Sequence, residues 1–456
     1  MADTLSIKYD QRLNFPRDIQ IEISALYIIA RAQSFELKYT TQKTGNPTVE
    51  IFSMAYHILT WLGLQQYYWS SKLLPEIERT KFPELCLEIV SIGVQYPGWT
   101  VRPEDVESFA KRHYGDSPAI QRTLKLNYAT GIVSRPSIAH IDLKDINADE
   151  APSITGIHSL FKEYGVNLAV EACQKAIKEW GGSPTDITHV VAVTCTDSSN
   201  PGYHELVARE LGLKLDIDKV LLHGVGCSGG LAALRTAANA LQGAAHRGKP
   251  GRALVFATEI HTSLARRAFD QCEESGQPNI TVALFSDCAS ALVLSNGLER
   301  REFEQPIYRL LNWKQRTIPD TESDIQLNVH PKGWSAVVTK NVPHIAAKSV
   351  RPMFDELVRE TPLISGKGLL NATSFDWALH PGGLAVVERA KQALGLSSAH
   401  LSASYEIYRK YGNSSSATVI SVLDCLRKIP GGQDHVVACA FGPGVSVEMA
   451  LMVRPR

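Results

Sequence analysis

The chain has 456 residues, of which 44% are hydrophobic and 21% charged, a composition typical of a globular protein with a sizeable core. Its 47 lysines and arginines balance 47 aspartates and glutamates, so the formal net charge is zero. This balance gives no argument for binding nucleic acid or an acidic membrane surface. The length predicts two or three domains, or one large fold with a duplicated core.

Residues 1–80 are rich in aromatic side chains and show no βαβ pattern. One interpretation is a lid or a membrane-associating segment, with Trp61, Tyr67, Tyr68 and Trp69 at the interface. The other, which we favour because a basic face is missing, is a loosely attached extension. We find no signal-peptide pattern and no apolar run of the ~20 residues that span a bilayer, so we expect a cytoplasmic protein without a membrane span.

From residue 81 onward, short apolar runs alternate with helical patterns. The stretch "GVNLAVEACQKAIKEWGG" predicts a helix that ends at Gly181, and "HVVAVTC" predicts a strand that is buried on both faces. Next come a helix in "YHELVARELGL" and strands in "KVLLHGV" and "RALVFATE". This alternation indicates an α/β fold with a mostly parallel sheet.

The pattern repeats weakly along the chain. The stretches "ITVALFSDCASALVLSNG" and "DHVVACAFGPGVSVEMALMV" each predict two strands around a tight turn. Likewise, "GVGCSGGLAALRTAANAL" and "KYGNSSSATVISVLDCL" each predict a glycine turn followed by a helix. We infer a duplicated core with halves at residues 81–298 and 299–456, and a site where the turns of Cys227 and Asn413 meet.

The eight cysteines lack metal-site spacing, and the chain contains no CxxC or HExxH motif, so we expect no metal. Most of them lie in apolar runs such as "HVVAVTC" and "HVVACAF", which indicates small buried side chains in a reducing compartment.

Cys227 differs from the other cysteines because glycines surround it. Gly224 and Gly226 permit backbone angles that a Cβ resists, and Ser228 opens a helix of small residues. The free N–H groups and the positive end of a helix lower a thiol pKa from about 8.5 to about 3.5–7.5. We therefore predict a nucleophilic thiolate beside an oxyanion site. The alternative is a structural cysteine at a tight packing point.

Two further residues stand at glycine-containing turns. His380 ends the predicted strand in "FDWALHPGG", and Asn413 follows a glycine in "YGNSSSAT", where a helix N-cap is the alternative role. With Cys227 they predict an acyl-transfer site, in which the imidazole takes the thiol proton and the two nitrogen-bearing side chains hold an oxyanion.

These motifs occur in an order that resembles the type III polyketide synthases, the chalcone synthase-like family. The resemblance runs from about Leu85 to Arg456 and rests on "TGIVSR", "GVGCSGGL", "FATEI", "LFSDCASA", "LHPGG", "YGNSSSAT" and "FGPGVSVE". The stretch "PGWTVRPEDVESFAKRHYG" is similar to the fungal branch, which makes alkylpyrones, csypyrones and alkylresorcylic acids. The resemblance implies a homodimer with the thiolase-like five-layered αβαβα fold and its duplicated core.

The resemblance also implies roles for the three residues. Cys227 holds the starter and the growing chain as a thioester, while acyl-CoA and malonyl-CoA are substrates and no cofactor is bound. His380 and Asn413 stabilise the enolate that forms when malonyl-CoA loses CO2, and His380 keeps the sulfur ionised.

Around these residues the resemblance implies a cavity. Phe285 is the gate to the CoA tunnel, and the loop Gly442–Pro443–Gly444 shapes the wall beside Ser415. Ala336 stands where plant members carry a second gating phenylalanine, and Leu327 replaces a family glycine. These two changes predict a channel for a fatty chain instead of a round pocket for an aromatic starter.

The resemblance leaves CoA binding less defined. The candidates for this role are Lys111, Arg112, Arg122, Gly382 and Gly383. A solvated basic end of a helix is the alternative interpretation of the first two.

Two other functions stay open on the sequence alone. The first is a ketoacyl synthase III, which makes one condensation with malonyl groups from a carrier protein. The second is a non-catalytic scaffold with the same fold.

Overall fold

The computed structural model describes residues 87–140, 147–361, 364 and 371–455. All of them belong to one compact unit, Phe82–Arg456. The predicted extension over residues 1–80, with its aromatic side chains, lies outside the described residues. Within the described ranges, no helix has both the length and the apolar character needed to cross a membrane.

The strands, in chain order, are β1 Leu87–Gln95, β2 Trp99–Val101, β3 Arg135–Ser137, β4 His189–Val193, β5 Asp218–Leu222, β6 Arg252–Glu259, β7 Cys288–Ser295, β8 Tyr308–Thr317, β9 Ile325–His330, β10 Gly333–Val338, β11 Phe375–Leu379, β12 His435–Gly442 and β13 Ser446–Val453. The helices are α1 Pro103–His113, α2 Pro118–Ala129, α3 Ile154–Leu160, α4 Val166–Trp180, α5 Tyr203–Glu210, α6 Gly229–His246, α7 Ala265–Ser275, α8 Thr281–Leu284, α9 Val342–Arg359, α10 Leu384–Leu394, α11 Ser402–Tyr411 and α12 Thr418–Arg427.

The main sheet of the described residues has nine strands in the order β11-β12-β13-β8-β1-β7-β6-β4-β5. Three neighbouring pairs (β11–β12, β4–β5 and β4–β6) are parallel. The other five pairs are antiparallel, so the prediction of a mostly parallel sheet is wrong. A continuous apolar run reports burial on both faces and carries no information on the direction of the neighbouring strand.

The three largest hydrophobic clusters of the described residues fill the spaces between five layers of structure, the central cluster filling the space on both sides of the middle helices. Because side chains alternate along a strand, Val255 of β6 and Ala438 of β12 face a central cluster that contains α6 and α12. Phe256 faces an outer cluster with α1, α2 and α4, and Val437 faces the opposite outer cluster with α9 and α10. The predicted αβαβα order is confirmed.

Of the two predicted pairs of strands around a tight turn, one is confirmed and one is wrong. β12 and β13 form the expected antiparallel pair. In the other stretch, Thr281–Leu284 forms the short helix α8, and β7 pairs with β6 instead. The Asn279 side-chain oxygen accepts hydrogen bonds from the Thr281 N–H at 3.0 Å and from its hydroxyl at 2.6 Å. This Asx turn bends the chain directly before Thr281, where the apolar composition alone predicts a strand.

The two predicted junctions between a glycine turn and a helix are confirmed, and they pack against each other. The first runs from β5 through the 3₁₀ turn Gly226–Ser228 into α6, and the second runs through the 3₁₀ turn Ser415–Ala417 into α12. A Cβ at Gly230 would overlap the carbonyl oxygen of Ser416, so glycine allows the two helix starts to meet. The fold thereby brings the segments of Cys227 and Asn413 together.

Candidate active site

A cavity of about 380 Å³ opens beside the two junctions, and apolar side chains form most of its wall. This volume lies within the range of pockets that bind small molecules. Eight residues singled out from the sequence line it, namely Gly224, Gly226, Cys227, Phe285, Leu327, Ala336, Ser415 and Pro443. His380 and Asn413 are not among its lining residues.

Cys227 lies in the 3₁₀ turn directly before α6. Gly226 has a φ of 46°, and a Cβ there would come within 2.6 Å of the Pro443 ring, so the turn requires glycine on both counts. Gly226 therefore allows the predicted Gly442–Pro443–Gly444 loop to pack against the turn. This contact fixes the sulfur at the wall of the cavity.

The protonation of the Cys227 thiol differs from the sequence prediction. Burial raises its pKa to about 11, and the side chains of Ser415 and Asn413, which interact with the sulfur, offset only part of that rise. The predicted lowering by the helix start is wrong in direction, because removal from water disfavours the charged form of the sulfur. The thiol is therefore neutral at neutral pH, and a base must take its proton before the sulfur can attack.

His380 follows the last residue of β11, as predicted, and its main-chain N–H donates to the Cys439 carbonyl at 2.7 Å. Burial lowers the pKa of its imidazole to about 3, so the ring is neutral at neutral pH. Among the described residues, neither ring nitrogen has a hydrogen-bond partner. A neutral imidazole carries one bare lone pair, so His380 can accept a proton.

Asn413 connects the loop after β11 with the turn before α12. Its Nδ2 donates to the Gly382 carbonyl at 3.5 Å, and its Oδ1 accepts from the Ser415 N–H at 2.8 Å. The second bond forms an Asx turn ahead of the 3₁₀ turn, whose N-cap is Ser414, so Asn413 is not the helix N-cap that the sequence offered as its alternative role. The side chain also interacts with the Cys227 sulfur, which places it at the site.

The aromatic ring of Phe285 stacks on a residue that the sequence analysis missed. The rings of Phe285 and His261 are almost parallel, with centroids 4.5 Å apart and an interplanar angle of 6°. His261 Nδ1 donates to the carbonyl of Ser286 at 3.2 Å, and burial lowers the pKa of the imidazole to about 4. The one signal in the sequence is that His261 directly follows the "FATEI" motif, two residues after Glu259.

A buried carboxyl group lies beside this pair. Glu259 accepts hydrogen bonds from the Cys195 N–H at 3.0 Å, from the Cys195 thiol at 3.2 Å and from the hydroxyls of Thr196 and Ser416. Cys195 also lines the cavity, with its sulfur 3.6 Å from the Ser415 hydroxyl. The interpretation of Cys195 as a core side chain is therefore wrong, because it follows the end of β4 and faces the site.

Leu327 and Ala336 face each other across an antiparallel ribbon formed by β9 and β10. Both line the cavity, and along β10 the lining residues alternate, with Trp334, Ala336 and Val338 in the wall and Val337 outside it. A larger side chain at position 336 therefore extends into the cavity, while one at position 337 extends away from it.

The candidates for CoA binding lie apart from the cavity wall. Lys111 forms an ion pair with Glu107 at 2.7 Å, and Arg122 donates to the Gly276 carbonyl at 2.9 Å. A Cβ at Gly382 would make only ordinary contacts with the His380 ring, so close packing of the protein does not require that glycine. The role of these residues toward CoA stays a prediction.

We expect the alkylation of Cys227 by iodoacetamide in the unliganded protein to accelerate with pH up to at least about pH 9, because the thiolate reacts and the thiol pKa lies above its usual value. Peptide mass spectrometry would follow Cys227 alone, and Cys227→Ala would identify labelling of other cysteines. A rate that is already constant below about pH 7 would contradict this expectation and indicate a preformed thiolate.

Two family models match this chain. The family model for the N-terminal domain of chalcone and stilbene synthases matches residues 124–297, and the model for their C-terminal domain matches residues 309–455. Type III polyketide synthase pspB of Penicillium soppii is 42% identical over 383 residues, which are 81% of this chain and 96% of that protein.

Acylalkylpyrone synthase csyB of Aspergillus oryzae is 40% identical over 379 residues, which are 82% of this chain and 96% of that protein. A crystal structure of CsyB complexed with CoA-SH superimposes with a TM-score of 0.79 at 39% identity, covering 81% of this chain and 100% of that chain.

Proposed function

The chain belongs to the chalcone and stilbene synthase family and is a type III polyketide synthase, an acyltransferase; on this basis we propose that it converts a fatty acyl-CoA and malonyl-CoA into an alkylpyrone. The observation that carries the proposal is the Cys227 thiol at the wall of a mostly apolar cavity, with the Asn413 amide beside its sulfur. The same amide donates to the Gly382 carbonyl in the loop that follows His380. The name of the relative csyB supports a pyrone, with a resorcinol or resorcylic acid as the alternative ring.

Loading begins with the neutral thiol. His380 takes the proton of Cys227, and the thiolate attacks the thioester carbonyl of the acyl-CoA. The acyl–sulfur bond to the enzyme forms as the bond to CoA breaks, and the departing CoA sulfur receives the proton from His380. The neutral state of His380 supports this role, since a neutral imidazole has the lone pair that the step needs.

Extension uses the same two nitrogen-bearing side chains. When malonyl-CoA loses CO2, negative charge develops on its thioester oxygen, and N–H groups of His380 and Asn413 stabilise the enolate. The enolate carbon then attacks the acyl group on Cys227, whose sulfur leaves. His380 and Asn413 are each only 1% exposed, and their burial strengthens these interactions because water does not compete for the donors.

The wall of the cavity supports a fatty starter. Apolar side chains from several helices and strands contribute to it, including Phe109, Phe269, Ile325 and Trp334. Ala336 lies opposite Leu327, and its small side chain leaves free the space that a phenylalanine ring at this position would fill. An extended acyl chain can occupy that space. Product analysis by mass spectrometry with a panel of acyl-CoA starters tests this; better turnover of coumaroyl-CoA than of decanoyl-CoA would reject it.

We expect Ala336→Phe to lower kcat/KM for long acyl-CoA starters while malonyl-CoA decarboxylation stays close to wild type. Each methylene that loses its apolar contact costs about 0.8 kcal/mol, so the loss grows with chain length until the blocked part of the channel is passed. The measurement is kcat/KM across a series of starters from hexanoyl-CoA upward.

The matched control is Val337→Phe, which adds a similar volume at the next residue of β10 but outside the cavity wall. An equal loss in both variants, or a loss in Ala336→Phe that does not depend on chain length, would contradict a channel at position 336.

We also propose that the protein lies in the cytoplasm, and that CoA phosphates bind near Lys111, Arg112 and Arg122. For the compartment, the support is that the described cysteines are free thiols.

A further proposal is that the protein forms a homodimer. The support is the edge strand β5, where Val220 is 41% exposed, because proteins usually cover the open edge of a sheet. Light scattering would measure the mass in solution, and a monomer would reject the dimer.

We also propose how the chain divides into two halves and which type of condensing enzyme it is. The ranges of the two family models support halves at residues 81–298 and 299–456. Family membership favours an iterative synthase over a single-condensation ketoacyl synthase III, and the complete thiol, imidazole and amide set argues against a non-catalytic scaffold.

A further inference from the structure

We propose that His261 is the proton acceptor for ring closure: its Nε2 takes the enol proton of the polyketide on Cys227, so that the enol oxygen attacks the thioester. This inference rests on the proposed pyrone-forming function and assigns a residue to its release step. It concerns a side chain separate from His380 and Asn413, which serve loading and extension.

The hydrogen bonding of His261 fixes its tautomer. Nδ1 lies 3.2 Å from the carbonyl oxygen of Ser286. A carbonyl oxygen only accepts hydrogen bonds, so Nδ1 carries the proton and Nε2 of the neutral ring has a bare lone pair. Burial keeps the pKa of this imidazole low, at about 4, so the ring is neutral at neutral pH.

The position of the ring is fixed as well. His261 lines the cavity, and the parallel stacking on Phe285 holds the plane of the imidazole. No hydrogen-bond partner for Nε2 occurs among the residues that the structure describes. The lone pair is therefore held in a defined plane at the wall of the cavity, where a substrate proton can reach it.

The distance to the nucleophile suits a polyketide of a few units. A nitrogen of His261 lies within 4.8 Å of the Cys195 sulfur, and that sulfur is 3.6 Å from the Ser415 hydroxyl. Ser415 in turn interacts with the Cys227 sulfur. Two side chains thus separate His261 from the thioester, a separation that the first carbons of a bound polyketide can span.

Other titratable groups at the cavity wall are less suited to this step. Arg135 donates to a main-chain carbonyl, that of Ala283, and has no lone pair to offer. The carboxylate of Asp197 is engaged by His158 at 2.9 Å and by the Ser199 hydroxyl at 2.6 Å. The Cys195 thiol donates to Glu259, and His223 is on an exposed part of the wall.

The step balances without a further reactant. The enol proton moves to His261 Nε2 while the enol oxygen forms a bond to the thioester carbonyl carbon. The bond from that carbon to sulfur breaks, and the pyrone leaves as Cys227 becomes a thiolate. Nε2 then returns its proton to the sulfur, which regenerates the neutral thiol that burial favours.

The test compares His261→Phe with wild type, using decanoyl-CoA and malonyl-CoA. Phenylalanine keeps a ring beside Phe285 but has no lone pair. We expect starter loading and malonyl-CoA decarboxylation to stay within a few fold of wild type, while pyrone release slows by about 10²–10⁴-fold, the usual contribution of a general base. Intact mass spectrometry should then show a triketide accumulating on Cys227.

His189→Phe is the matched control, since His189 and His261 are each 7% exposed and His189 begins β4 away from the cavity wall. His261→Ala provides a second test, because added imidazole should restore release in a variant that lacks only the base.

Three results would each overturn the inference. His261→Phe could fold and release the pyrone at the wild-type rate, it could lose starter loading, or imidazole could fail to restore release by His261→Ala. A wild-type enzyme that forms no polyketide rejects the proposed function itself, and this inference with it.

Discussion

Cys227→Ala abolishes acyl loading, and polyketide formation falls by at least about 10⁴-fold, since removal of a catalytic nucleophile costs about that much or more. The structure gives the reason: Cys227 lines the cavity between the two junctions, where the side chains of Ser415 and Asn413 interact with its sulfur. Intact mass spectrometry after incubation with acyl-CoA measures the loading.

The matched control is Cys173→Ala, which removes a fully buried thiol from α4 on the outer side of the sheet. We expect this variant to load the starter as wild type does. An acyl adduct on Cys227→Ala at the wild-type level, or polyketide formation by that variant, would contradict the assignment of the nucleophile.

His380→Ala and Asn413→Ala should lose different steps. His380→Ala removes the only base assigned to the Cys227 proton together with a donor to the enolate, so both loading and decarboxylation fall. Asn413→Ala removes one oxyanion donor and should slow decarboxylation of malonyl-CoA by about 10²–10³-fold. Because the thiol and the imidazole remain, this variant should still accept a starter.

Two assays separate these roles. Release of CO2 from malonyl-CoA measures decarboxylation, and intact mass measures starter loading. Equal loss of loading in both variants would contradict the division of labour. Because the Asn413 side chain also forms an Asx turn with the Ser415 N–H, a thermal melt of the variant must first show a folded protein.

The sequence predicted where Cys227, His380 and Asn413 lie in the fold, because each stands at a turn with glycine and such a turn is a local feature. Their catalytic roles stay a prediction. The α/β class also followed from local patterns, since helical and strand patterns alternate along the chain. The five layers were implied by the resemblance to the type III polyketide synthases. Strand direction did not follow, because an apolar run at β7 or β13 looks the same in a parallel and an antiparallel pair.

What the sequence missed depends on contacts between distant segments. Cys195 and Glu259 are joined by hydrogen bonds across two neighbouring ends of strands, β4 and β6, and Cys195 reaches Ser415 in the other half of the chain. His261 becomes a candidate only once Phe285 and Ser286 lie against it. The pKa of Cys227 was predicted in the wrong direction for the same reason, since burial is a property of the packed fold.

The central claim is that this enzyme extends its starter more than once with malonyl-CoA and without a carrier protein. The measurement is mass spectrometry of the products formed from decanoyl-CoA and ¹³C-labelled malonyl-CoA with the purified full chain alone. We expect a pyrone that contains at least two malonyl-derived units. A product with a single malonyl-derived unit, or no product until a carrier protein is added, would contradict the account.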